Sequence, residues 1–318
     1  MNSEKKVSIV MATYNGSLHL REQLDSIYSQ TRIPDEVVVV DDNSTDGTLK
    51  ILDEYHHKYG LLYLKNKVNL GVSRNFEKAI CNCCGDYIAI CDQDDVWMPQ
   101  KIEKLLAKLS EIEGDKPACV SSKSIAVDKE LNPLGNSFYT YKDTYSLKDN
   151  IFGSKISQGC SMMFNRKLVD IMAPFPQTKF VYDAYIGLLA ACTGYKYNIG
   201  EPLMYYRHHQ NNVVAKDVKK NFNLSRIVEH LRMWKHSSLF EHGRFNILRF
   251  IYDNNYNSLS EESKKILEQL LHFDTVNVFS KIIYIVREDY FSCSFKIKKL
   301  FCLMCTAILP LSSKDNEF

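Results

Sequence analysis

"EVVVVDDNSTDGT" (residues 36–48) decides the fold. In an extended strand successive side chains point to opposite faces, so four consecutive valines leave no polar face. Such a strand belongs in a sheet covered by helices on both sides, which is the setting of parallel sheets. The run stops at Asp41-Asp42. A turn-rich segment follows, then Leu49, Leu52, Tyr55 and Tyr59 at helical spacing. The same alternation extends outward. Upstream, "VSIVMA" (7–12) precedes a helical face of Leu20, Leu24, Ile27 and Tyr28. Downstream come "LLYLK" (61–65), a helix over 72–81 after Gly71, "DYIAI" (86–90), and a helix marked by Ile102, Leu105, Leu106, Leu109 and Ile112. Strands alternating with helices predict an α/β, doubly wound and mainly parallel sheet.

Beyond residue 118 the alternation loosens. A strand is expected over 118–127, loop over most of 128–158, a strand over 159–165, a short helix over 183–194 and a strand over 201–209. From about Lys216 long helical patterns take over, which places a boundary near residue 215 and a helical C-terminal region over 216–318. The chain of 318 residues is 45% hydrophobic and 25% charged, enough for a sizeable core, and its net charge of +2 argues against nucleic acid as a partner. The first residues carry no long apolar run, so no signal peptide is expected and the ten cysteines read as reduced thiols of a cytoplasmic protein. Neither Cys81, Cys83, Cys84 and Cys91 nor Cys302 and Cys305 have the paired spacing of a structural zinc site.

In open parallel sheets ligands bind beyond the carboxyl ends of the strands. Three polar clusters fall there: Thr13-Tyr14-Asn15, Asp41-Asp42, and "CDQDD" (91–95). Carboxylates this crowded repel one another unless a cation sits among them. Neither G-x-G-x-x-G nor G-x-x-x-x-G-K-[ST] is present, which disfavours a dinucleotide oxidoreductase and a P-loop enzyme. Phosphates bound here need a metal held on carboxylates, and Asp92 and Asp94 suit Mg²⁺ or Mn²⁺. Asp42, Ser44, Asp46, Gly47 and Asp53 approach a calcium-loop pattern, but a β-branched strand stands where that motif needs a helix; Asp46 is expected to cap the helix near Thr48.

"SIVMATYNG", "EVVVVDDNSTDGT", "NLGVSRNFEKAI", "CDQDDVW", "GCSMMFNRKL", "YDAYIGLLA" and "YYRHHQNNVV" resemble the successive motifs of glycosyltransferase family 2, over about two thirds of the chain. "CDQDDVW" and "RHHQNNVV" are closest in style to bacterial rhamnosyltransferases of polysaccharide assembly. The resemblance implies a GT-A-type (Rossmann-like) catalytic domain over 1–215, with 1–98 binding a nucleotide-diphosphate sugar and 99–215 facing a saccharide acceptor carried on a lipid. It also assigns roles. Thr13 and Tyr14 flank the donor's base. Asp41 or Asp42, with Asp41 favoured, accepts from the pyrimidine N3–H. Asn69 and Arg74 lie along the nucleotide and diphosphate. Asp92 and Asp94 form the DXD pair, with Asp94 the most direct metal ligand and Asp92 reaching ribose or metal-bound water. His209, supported by Arg207 or Asn211, contacts metal or diphosphate. Asp183, which spacing alone leaves as a helix cap or an ionised group favoured by the helix dipole, becomes the catalytic base of an inverting transfer. Ala184 stands where relatives often carry an aromatic residue. A non-catalytic sugar-nucleotide or polysaccharide-binding protein is the rival reading; a nucleotidyltransferase is disfavoured because "ATYNGSLHL" is not basic.

The C-terminal stretch 276–311 ends in a twelve-residue apolar run preceded by Lys296, Lys298 and Lys299, short of the about 20 residues that span a bilayer. Two readings stay open: a helix buried against the catalytic domain, or a basic apolar helix lying peripherally on the inner face of the cell membrane.

Overall fold

The computed structural model describes residues 5–134, 147–152, 158–175, 182–208 and 242–273. The first half follows the expected alternation: β1 (Val7–Thr13), α1 (Leu20–Tyr28), β2 (Glu36–Asp41), α2 (Thr48–Tyr59), β3 (Leu62–Lys65), α3 (Val72–Cys81) and β4 (Tyr87–Cys91). A two-residue strand β5 (Val96–Trp97), α4 (Lys101–Ile112) and β6 (Ala118–Val127) come next. After them lie α5 (Leu147–Phe152), a 3-10 turn (Gly159–Ser161), β7 (Met162–Asn165), α6 (Arg166–Asp170), α7 (Tyr182–Thr193), β8 (Tyr195–Arg207), α8 (His242–Asn255) and α9 (Glu261–Phe273).

One eight-stranded sheet runs in the order β3-β2-β1-β4-β7-β6-β8-β5. β1, β2, β3 and β4 pair in parallel, as do β6 and β8; β7 runs antiparallel between β4 and β6, and β5 antiparallel to β8. The valine run explains itself in the packing. Val38 and Val40 join Val10, Ile88 and Ile90 in one core under α3 and α7, while Val37 and Val39 join Ile9, Met11 and Ala89 in the other, under α1, α2 and α4. Each such buried valine stabilises by roughly 1.5–3 kcal/mol, so a polar residue anywhere in the run would be costly.

Beyond the expected boundary near residue 215, α8 and α9 do not stand apart. Phe245, Leu248, Ile251, Leu267 and Leu270 share one core with Tyr185, Leu188 and Leu189 of α7, and the Ser260 N–H donates to the Cys192 carbonyl at 3.0 Å. Residues 276–311 lie outside the described residues. Among the described residues, no helix is long and apolar enough to cross a membrane.

Candidate active site

β1, β2 and β4 are parallel and in register, Thr13 opposite Asp41 and Met11 opposite Cys91, so their polar ends reach the same sheet edge. There the two acidic clusters take different forms. Asp41 is fully buried; Thr13 Oγ1 donates to its Oδ2 at 2.9 Å, Ser44 Oγ to Oδ2 at 2.5 Å and the Ser44 N–H to Oδ1 at 2.9 Å. Asp42 is 2% exposed and accepts from Asn66 Nδ2 at 2.9 Å and from the Leu70 and Gly71 N–H groups at 2.7 and 2.8 Å. Gly71 has φ +84°, a backbone that glycine adopts without strain. The expected base contact through Asp41 or Asp42 therefore meets two buried carboxylates already engaged with the chain. They hold the loops that carry the other expected residues. Thr13 is buried on Asp41, whereas Tyr14 is 50% exposed and offers its ring. Asn69 and Arg74 line one cavity of about 710 Å³ with Leu70, Glu77, Lys78 and Cys81, and Arg74 is ion-paired to Glu77. Asp46 was expected to cap α2, but Gly47 holds the cap position; Asp46 stands one residue ahead and accepts from the Thr48 N–H at 2.9 Å.

The loop after β4 is pinned from three sides. Gln93 Oε1 accepts from the Tyr14 N–H at 2.9 Å and Gln93 Nε2 donates to the Tyr14 carbonyl at 3.2 Å. Arg207, at the end of β8 and 1% exposed, donates from Nε to the Asp94 carbonyl at 2.9 Å, and its N–H donates to Asp95 Oδ1 at 3.1 Å. Its guanidinium also reaches Glu22 Oε2 at 2.5 Å and the Lys129 carbonyl. Arg207 thus fastens the loop instead of facing a ligand. His209 and Asn211 lie outside the described residues.

One ligand atom from each of Asp92, Asp95 and Cys160 lies within 4.8 Å of the others. Asp94, the expected direct ligand, is not in this group; its neighbour Asp95 takes that place. Asp95 Oδ2 is buried without an N–H or O–H donor, the weak Cys160 thiol being the group beside the carboxylate. Burial, then the Asp94 charge, raise the Asp92 pKa to about 7, and burial pushes Asp95 well above the carboxylate range. Two acidic groups crowded by burial and like charge fit a divalent cation. Behind them Lys101 is fully buried, donates from Nζ to the Cys160 carbonyl at 2.6 Å and sits 3.8 Å from the Trp97 ring centroid; burial lowers its pKa to about 8.

Asp183 lies in the first turn of α7 and accepts from the Ala184 N–H at 2.7 Å. The helix end was expected to favour its charged form, but burial prevails and raises its pKa against the hydrogen bonds from the Ala184 and Gly159 N–H groups. Its charge in turn adds to the upward shift of Asp92, so the structure brings Asp183 to the carboxylate group. Asp95, Cys160 and Lys101 were not singled out by sequence reasoning. Asp95 adjoined the DXD pair; for Cys160 and Lys101 no local signal existed.

The sequence model of glycosyl transferase family 2 matches residues 8–171. The chain belongs to glycosyl transferase family 2. It is 39% identical over 111 residues to the putative glycosyltransferase EpsE of Bacillus subtilis (strain 168), a match over 34% of this chain and only 40% of that protein's length. The dTDP-rhamnosyl transferase RfbG of Shigella flexneri is 29% identical over 222 residues, covering 65% of this chain and 74% of that protein. Among solved structures, the mannosyltransferase PcManGT from Pyrobaculum calidifontis, in complex with GDP-Man and Mn²⁺, matches with a TM-score of 0.56 at 18% identity, over 96% of this chain and 85% of that one. That likeness establishes the GT-A-type fold of this family 2 chain.

Proposed function

We propose that this family 2 protein is an inverting, metal-dependent glycosyltransferase of bacterial surface polysaccharide synthesis. It moves a sugar, with L-rhamnose the candidate, from a nucleotide-diphosphate sugar to a saccharide acceptor carried on a lipid. The observation that carries the reading is a carboxylate of raised pKa, Asp183, placed beside a carboxylate group suited to a cation. The similarity to RfbG supports the sugar, and the Mn²⁺ and GDP-Man held by PcManGT support the donor class and metal.

In this reading the Tyr14 ring stacks on the donor's base, while Thr13, Asp41 and Asp42 hold the loops around it. Asn69 and Arg74 contact the diphosphate from their shared cavity. Asp92 and Asp95, with Asp94 and His209 as further candidates, hold Mg²⁺ or Mn²⁺. Such an ion supplies charge neutralisation to the departing diphosphate. Asp183 removes the acceptor hydroxyl proton; the oxygen attacks the anomeric carbon as the bond to the diphosphate breaks on the opposite face. A carboxylate whose pKa lies above its ordinary value is the stronger proton acceptor. The acceptor's lipid link would place the protein at the inner face of the cell membrane.

The test is a nucleotide-sugar panel with Mn²⁺ or Mg²⁺, followed by Asp183→Asn on the donor that turns over. Transfer should fall by about 10²–10⁴-fold with donor affinity nearly unchanged, the usual contribution of a positioned base. A chain that binds donors and turns none over would instead be the non-catalytic binding protein. Lost donor affinity with an unchanged rate would make Asp183 a donor ligand.

A further inference from the structure

Gln93 stands between two aspartates and does something else. Its side-chain amide meets both main-chain groups of Tyr14: Oε1 accepts from the N–H at 2.9 Å and Nε2 donates to the carbonyl at 3.2 Å. The pairing carries the contact between β1 and β4 past their last strand partners, Met11 and Cys91. It needs a donor and an acceptor side by side, which a primary amide offers and a carboxylate does not. The main chain of Tyr14 is thus held while its ring stays 50% exposed. A second observation comes from the neighbouring loop. Gly16 is not among the glycines of positive φ, which among the described residues are Gly60, Gly71 and Gly114. A Cβ there would instead lie 2.2 Å from Gln93 Oε1 and 2.6 Å from its Cδ. The missing side chain makes room for the amide. On the other flank Ser44 Oγ, Thr48 Oγ1 and Asp46 Oδ2 accept from the N–H groups of Asn15, Gly16 and Ser17 at 2.9, 2.9 and 3.0 Å. Residues 15–17 are anchored to the loop after β2, and Tyr14 to the loop after β4.

We propose that Gln93 is a positioning residue of the donor site: its amide fixes the peptide groups of Tyr14 so that the exposed ring is presented to the nucleotide base, and position 16 is glycine to admit that amide. The inference rests on the reading that Tyr14 stacks on the base, and adds what aims it. A ring already held in its bound direction loses less freedom when the ligand arrives, so the clamp acts on affinity. The acidic loop keeps a separate fastening, since Arg207 donates to the Asp94 carbonyl and to Asp95 Oδ1. Releasing Gln93 from Tyr14 therefore loosens the base contact and leaves the carboxylates held.

The full chain is titrated by calorimetry with UDP, dTDP, CDP, GDP and ADP in the presence of Mn²⁺, and donor KM and kcat are measured for the nucleotide sugar that turns over. Gln93→Ala should weaken the nucleotide that the wild type binds by about tenfold, within the worth of a base–aromatic stacking contact. Donor KM should rise to match, while kcat at saturating donor and the Mn²⁺ requirement stay near wild type, as when uniform binding is lost. Gly16→Ala leaves the amide chemically intact and displaces it, so it should reproduce the effect. Both changes break one clamp, and the double variant should bind no more weakly than either single one. Melting followed by circular dichroism accompanies each variant; the two changes lie in different loops, so one folded variant suffices for the KM and kcat comparison. A lowered kcat with a raised Mn²⁺ requirement would make Gln93 a brace of the acidic loop and overturn the proposal, as would additive losses in the double variant. Tyr14→Ala separates the two readings. Affinity lost in Tyr14→Ala but kept in Gln93→Ala overturns the clamp alone; affinity kept in both, or a wild type that binds none of the nucleotides, overturns the base-stacking reading and the clamp with it.

Discussion

Asp41 and Asp42 lie at the end of β2, Asp92 and Asp95 just beyond β4, on the same edge of one sheet, and they are opposites. The first pair is surrounded by the chain's own donors: six hydrogen bonds from Thr13, Ser44, Asn66, Leu70 and Gly71. The second pair is crowded by like charge and burial, and beyond the Arg207 N–H to Asp95 it has only the weak Cys160 thiol as a donor. What separates the two pairs is therefore the supply of donors, since burial is common to Asp41, Asp42 and Asp95. The difference can be broken experimentally.

The largest effect is expected at the open pair. Asp92→Asn should lower metal-supported turnover by about 10³-fold, roughly 4 kcal/mol of lost charge stabilisation, while thermal unfolding without metal stays near wild type. Parallel loss of fold and activity would erase the distinction. Next comes Asp42→Ala, which strands three donors near α3. Urea unfolding should show about 3 kcal/mol of destabilisation, at roughly 1 kcal/mol or more for each buried donor left unpaired. A loss below about 1 kcal/mol would mean that those donors find other partners.

The smallest effect is in pH. A carboxyl whose pKa rises from 3.8 to about 7 on folding holds its proton more tightly in the native state. Its contribution to stability is full below the unfolded pKa, declines as pH rises towards 7, and is constant above. The metal-free wild type should thus gain stability on acidification from pH 8 to pH 6, relative to Asp92→Asn. The effect is modest because Asp92 is only half-buried and solvent screens it. Saturating Mn²⁺ competes with the proton and should reverse the slope. An identical pH dependence in the two proteins, seen by differential scanning calorimetry, would place the raised pKa elsewhere.

The parallel half was legible because its signals are local: β2 and β4 carry unbroken apolar runs, β1 is interrupted only by Ser8, and their helices keep one apolar face. The second half depends on distant partners. β5 has two residues and exists because Val96 and Trp97 pair with Tyr205 and Met204. β8 begins at Tyr195, earlier than the expected 201, because its first residues pair with β6. The expected strand over 159–165 gives its first three residues to a turn packed on Tyr182. α6 was missed although Asn165, which accepts from the Leu168 N–H at 3.2 Å, is a cap signal that could have marked it. In the site, the polar strand ends were legible as a cluster, and Asp183 as a helix-start carboxylate. Which aspartates were internal was not, since Thr13 reaches Asp41 across 28 positions and Cys160 joins the acidic loop only through the sheet.

Arg207 also sets a timetable. Its bond to Glu22 closes a loop of 185 positions, against 28 for Thr13 and Asp41. By loop length alone the later closure costs about 1.7 kcal/mol more in chain entropy. During synthesis the ribosome delivers β1, β2 and β4 long before β8. The partners that hold Asp41 and Asp42 are all present by residue 71, whereas those that pin the acidic loop are complete only once residue 207 has emerged. A nascent or prematurely ended chain shorter than this lacks the fastening of its acidic loop, whatever else it has folded.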